Sequence, residues 1–147
     1  MAGYQNFKNM KVWKESRELN QMLFEILKVK DDKSFGFLKN HMLKTAGSIM
    51  DNIAEGSERS GNKEFIHFLS ISKGSAGELI SQMYRAMDAG LINESEFERC
   101  ETKLLDISSQ LMNFMKYLKS SDRKGFKFEE PQTEYQLKKS TFYDDND

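Results

Sequence analysis

The chain has 147 residues, 38% hydrophobic and 31% charged, with a formal charge of -1, one cysteine and one proline. That length suits one domain, and a single late proline with scattered glycines excludes collagen-like, proline-rich and turn-dense β-sandwich chains. A charge near zero excludes a whole-molecule polyanion binder but leaves room for one basic face, and the lone Cys100 excludes an internal disulfide framework and fits a reducing cytoplasm.

The opening MAGYQNFKNMKVWK holds no uninterrupted apolar run, so no leader is expected. No stretch approaches the roughly 18 apolar residues that span a bilayer. The expectation is a cytoplasmic protein with no membrane contact.

Four segments carry helical periodicity, and the spacing predicts helices over about 11–27, 35–56, 62–89 and 94–119. In the first, Val12, Ser16, Leu19, Leu23 and Ile26 form the seam, with Trp13 beside it as a core plug rather than a base-stacking platform. In the second the seam is Leu38, Met42, Thr45 or Ala46, Ile49 and Ile53, and Gly56 falls where a left-handed residue ends a helix. The third runs through Phe65, Leu69, Ser72, Ala76, Leu79, Met83 and Ala86, and Gly90 closes it. The fourth starts from a capping box, Asn93 with Glu96, and continues as Phe97, Cys100, Leu104, Ile107, Leu111, Phe114 and Leu118. Leu105, Met112 and Met115 are expected to widen that last buried stripe. Short connections between long amphipathic helices predict an all-α, up-down-up-down antiparallel four-helix bundle over residues 1–120.

Residues 121–147 form a C-terminal extension with Pro131, five aromatics (Phe126, Phe128, Tyr135, Phe142, Tyr143) and a terminal acidic run. So many aromatics are unusual for a purely solvating tail. It is expected to dock on the bundle or on a neighbouring subunit.

Few constellations carry chemistry. Glu64 and His67 make an E-x-x-H, but a di-iron carboxylate site needs a second such pair, and the other histidine, His41, has Leu38 three residues before it. Glu64 is therefore read as a helix-start charge. No nucleophile elbow, Walker loop or dinucleotide fingerprint is present. Cys100 lies on a seam as a small buried hydrophobe. No catalytic residue, metal or cofactor is expected. Gly74-Ser75-Ala76-Gly77 falls mid-helix, where it predicts close approach of another helix backbone, of this chain or of another. An antiparallel register around Arg59 would bring Glu78 to Lys39 or Lys44. Lys8, Lys11, Lys14 and Arg17 recur along one stripe of the first helix, Lys44 lies on the second, and Arg59 and Lys63 flank the connection to the third. Such lysines usually make a solvated face, but repeated around an oligomer they would bind phosphate steeply.

The segments FKNMKVW (7–13), NIAEG (52–56), KEFIHFL (63–69) and GSAGEL (74–79) resemble the bacterial four helix bundle protein family, also called the 23S ribosomal RNA intervening-sequence protein family. The resemblance spans about residues 6–118. It implies a left-handed bundle that assembles as a homopentamer, similar in fold to the accessory variability determinant of diversity-generating retroelements, which binds nucleic acid and a reverse transcriptase. The motif positions that match are Asn52, Glu55, Gly56, Gly74, Ser75 and Glu78, and no catalytic residues come with them. This chain lacks the proline the family tends to carry before the NIAEG motif, and Glu58 dilutes the basic charge that tends to follow it. Together these readings point to a non-enzymatic oligomer that binds nucleic acid, RNA foremost, through Lys11, Lys14, Arg17, Lys44, Arg59 and Lys63. The alternative is a scaffold that recruits a protein partner such as a reverse transcriptase.

Overall fold

A computed structural model describes residues 6–29 and 33–123. A short 3-10 turn, Phe7–Asn9, leads into α1 (Lys11–Lys28); a second, Lys33–Phe35, leads into α2 (Gly36–Glu58), followed by α3 (Asn62–Asp88) and α4 (Glu94–Arg123). The four helices pack antiparallel as α1–α2, α2–α3, α3–α4 and α4–α1. Asn20 Nδ2 donates to the Ala46 carbonyl at 2.9 Å, Ser72 Oγ to the Ile49 carbonyl at 2.7 Å, and Asn62 Nδ2 to the Leu118 carbonyl at 3.0 Å. Lys103 Nζ donates to Glu18 Oε2 at 2.8 Å and closes the ring from α4 to α1. The starts of α1 and α3 therefore share one end with the finishes of α2 and α4.

Every seam residue predicted on the four helices is buried, and Met10, Leu27, Leu91 and Ile92 join them. Phe65 and Phe114 meet edge-on at 5.1 Å between ring centroids, tying α3 to α4 in that core. The fourth stripe is narrower than expected. Leu105 is 56% and Met112 42% exposed, while only Met115 packs partly against the core. Those two side chains lie past the edge of the strip that α1 and α3 cover.

The helix ends follow local chemistry. Asn93 and Glu96 form the expected capping box, with Glu96 N–H donating to Asn93 Oδ1 at 2.8 Å and Asn93 N–H to Glu96 Oε1 at 3.0 Å. α3 closes in a Schellman arrangement: Gly90 has φ 74, its N–H reaches the Met87 carbonyl at 3.0 Å, and Leu91 N–H reaches Ala86 at 2.8 Å. Gly56 does not end α2. The helix continues to Glu58, Arg59 is extended, and Gly61 takes the positive φ of 93 that turns the chain. What fixes glycine at 56 is space, because a Cβ there would meet Phe68 Cβ at 2.7 Å and Phe65 Cδ2 at 2.8 Å. The opposite holds at Gly74 and Gly77, where nothing from another described element lies within 4 Å of an added Cβ. Among the described residues no other helix makes the close approach predicted there.

α2 passes unbroken through Met50, in the stretch where the resemblance led to the expectation of a proline that this chain lacks. α4 runs to Arg123, a turn beyond its expected limit at 119, and buries Ser120 and Ser121. The expected docking of the C-terminal extension concerns residues that, from 124 onward, lie outside the described ones.

Candidate nucleic-acid interface

Five of the six cations singled out in the sequence gather at one end of the bundle. Lys11, Lys14 and Arg17 lie in the first two turns of α1, Arg59 in the α2–α3 turn and Lys63 in the first turn of α3. Lys44 stands apart, twelve residues before Gly56, hence about 18 Å along α2 from that end. All six are exposed.

Their pairing differs. Arg59 donates to Glu55 Oε1 at 2.8 Å and its guanidinium lies 5.4 Å over the Phe68 ring, so the carboxylate raises its pKa and both neighbours fix it in place. Lys11 Nζ is 3.9 Å from Glu15. Among the described residues Lys14, Arg17, Lys44 and Lys63 form no ion pair.

The motif residues serve the α2–α3 seam. Asn52 Nδ2 donates to the Ser48 carbonyl at 2.8 Å and to Ser48 Oγ at 3.0 Å, and Ser48 Oγ lies 3.0 Å from Ser75 Oγ. Two motifs far apart in sequence thus meet through Ser48, which periodicity alone did not single out. Glu55 holds Arg59, and Gly56 admits Phe65 and Phe68. Glu78 pairs not with Lys39 or Lys44 but with His41, at 3.6 Å to Nε2. Ser48 faces Ser75 and Ser72 bonds to Ile49, so the hairpin centres past Arg59, near Gly61, and the Glu78 carboxylate meets His41. Gly74 and Gly77 face outward on α3.

An open groove along α1 was not anticipated. Phe7, Lys8, Trp13, Lys14, Arg17 and Gln21 line it together with Glu18, around a volume of about 700 Å³. Trp13 is only half buried: part of the indole packs on the core and the rest borders this groove. Periodicity could not show this, because the groove depends on the 3-10 turn folding Phe7 back over α1.

Glu64 and His67 are both exposed, and among the described residues no three His, Cys, Asp or Glu side chains gather to hold a metal. Burial pushes the Cys100 thiol up, away from the reactive thiolate. No described helix is long and apolar enough to cross a membrane.

These features define an all-α, antiparallel four-helix bundle protein with one cation-rich end. The chain belongs to the 23S rRNA-intervening sequence protein family, whose model matches residues 8–113. No curated protein matches it significantly.

Proposed function

We propose that the protein is a non-enzymatic homo-oligomer, a pentamer, that binds nucleic acid, RNA foremost, through its cation-rich end. The observation that carries this reading is the convergence of Lys11, Lys14, Arg17, Arg59 and Lys63 on one end from two separate stretches of chain, 11–17 and 59–63. A single copy has little net positive field, since the chain carries a formal charge of -1. Repetition around a ring multiplies the phosphate contacts, and affinity then rises steeply with subunit number. The family's name is consistent with an RNA partner. Self-association is supported by Gly74 and Gly77, which cost α3 about 1 kcal/mol each relative to alanine while none of the other described helices uses the space they leave.

Binding of structured RNA at low salt, followed as salt rises, tests the reading. A salt slope that shrinks when Lys14 and Lys63 are changed to Glu is expected. No binding, or binding indifferent to salt, overturns it.

One observation favours a second reading, an assembly scaffold that recruits a protein partner such as a reverse transcriptase. At the end opposite the cations Phe37 is 80% and Val29 75% exposed, and Phe24 is exposed near them in sequence. Loss of a purified partner on changing Phe37 to Asp, with RNA binding intact, would favour the scaffold.

A further inference from the structure

The groove on α1 joins two aromatic rings, Phe7 and Trp13, with three cations, Lys8, Lys14 and Arg17. Asn6 Oδ1 accepts from Lys8 N–H at 3.0 Å, and Met10 N–H returns to the Phe7 carbonyl at 3.0 Å, fixing the 3-10 turn. The turn brings the Phe7 ring edge-on to Trp13, with centroids 5.1 Å apart and planes at 64°. Along α1, Trp13, Arg17 and Gln21 repeat every four residues on one side of the helix, with Lys14 next to them. Lys8, Lys14 and Arg17 form no ion pair among the described residues. The groove's one carboxylate, Glu18, accepts from Lys103, which holds it below the usual carboxylate range and offsets its charge.

Cations alone would attract any polyanion. A partly exposed indole framed by three cations also offers aromatic surface at the spot where negative charge is gathered. An acidic peptide would use the cations and leave that surface unused. A duplex keeps its base faces stacked internally. The ligand that satisfies both features is a strand with free bases and a charged backbone. We propose that this groove seats single-stranded nucleic acid, one base stacking on Trp13 against the edge of Phe7 while Lys8, Lys14 and Arg17 hold the adjoining phosphates. The proposal rests on the nucleic-acid reading above and goes beyond it by naming the strand form and the seat.

Trp13 is the chain's only tryptophan, so selective excitation reports on this groove alone. The full chain is titrated with an end-labelled oligouridylate of about ten nucleotides, a length within the range of single-strand sites. Polarisation of the label and Trp13 emission are read together. Quenching of Trp13 in step with polarisation is expected, with weaker binding of the corresponding duplex. Phe7→Ala should weaken binding about fivefold to a hundredfold, and Trp13→Phe, which keeps a smaller aromatic ring, by less. Lys14→Glu with Arg17→Glu, both exposed and free of packing duties, should lower the salt slope by about two.

Polarisation that rises while Trp13 emission stays constant overturns the groove and leaves the nucleic-acid reading standing. Failure of both the oligouridylate and structured RNA to bind at low salt removes the reading and the groove with it. Equal quenching by inorganic polyphosphate, with the same salt slope, overturns base stacking. Should Trp13→Phe fail to fold, the Phe7 and Lys14/Arg17 variants decide the matter.

Discussion

Gly56 lies so close beneath Phe68 that a methyl group on its Cα would come within 2.7 Å of the Phe68 Cβ. That Cβ is anchored to the α3 backbone and cannot swing aside, and Phe65 blocks the other direction at 2.8 Å. The pair sets how near α2 and α3 approach at the cation-rich end, and therefore where Arg59 and Lys63 stand.

Gly56→Ala should destabilise the fold despite alanine's better helix propensity. Overpacking costs about 1–3 kcal/mol, against about 1 kcal/mol recovered in the helix. A net loss of about 1–2 kcal/mol in urea denaturation is expected. An increase in stability would mean that α3 shifts freely at this point.

The outward glycines of α3 should behave oppositely. Gly77→Ala should leave the subunit as stable or more stable, by up to about 1 kcal/mol. Gly74→Leu and Gly77→Leu together should lower the mass found by light scattering while the helical circular dichroism is kept. An unchanged mass would remove this face of α3 from the subunit interface.

Gln82 is buried between α2 and α3, donating to Thr45 Oγ1 at 3.0 Å, while its Oε1 finds no partner. Gln82→Met removes the bond to Thr45, a longer one to Glu78 at 3.4 Å, and one orphaned acceptor, effects that largely offset. Stability within about 1 kcal/mol of the parent is expected. Gln82→Glu should cost about 3 kcal/mol or more, because it buries an unpaired charge within reach of the Glu78 carboxylate. Thermal unfolding of the two variants compares them directly.

The α1–α4 contact predicts a split response to pH. Burial chiefly, with the Asp106 carboxylate nearby, lifts the Glu15 carboxyl above its ordinary value, although Gln110 and Lys11 partly hold it down. Its contribution to stability is fully present below the unfolded pKa near 4.3 and is lost as pH rises through the folded value. Glu18, held low by Lys103, runs the other way: its contribution is present above the unfolded value and lost as pH falls through the folded one. Glu15→Gln should therefore melt higher than the parent near neutral pH, with the gap closing towards about pH 4. Glu18→Gln should melt lower at neutral pH, and that gap should also close in acid.

The helices were legible because amphipathic periodicity is written directly in the residue order. The seam from Phe97 to Leu118 is buried throughout, as its spacing requires. Glycines were harder, since the same residue type serves turns, close contacts and open surfaces. Gly56, Gly61 and Gly74 each take a different one of these parts, and only the third dimension separates them. The partner of Glu78 was missed because the hairpin turns near Gly61 rather than Arg59, and His41 lies between Lys39 and Lys44 in sequence. The groove at Trp13 was illegible for another reason: the fold-back of Phe7 depends on Asn6 capping a turn of three residues, too short to show a period.

The hydrogen bond from Asn62 to the Leu118 carbonyl joins residues 56 apart in sequence. During synthesis, the α2–α3 hairpin can form its own cross-links at Ser48, Ile49 and Thr45 while α4 is still to be made. The apolar faces of α1 and α3 must then wait for their last partner, with Val12, Leu19 and Phe65 uncovered in the interval. A nascent chain stalled before α4 should therefore be the form most prone to aggregate or to engage a chaperone.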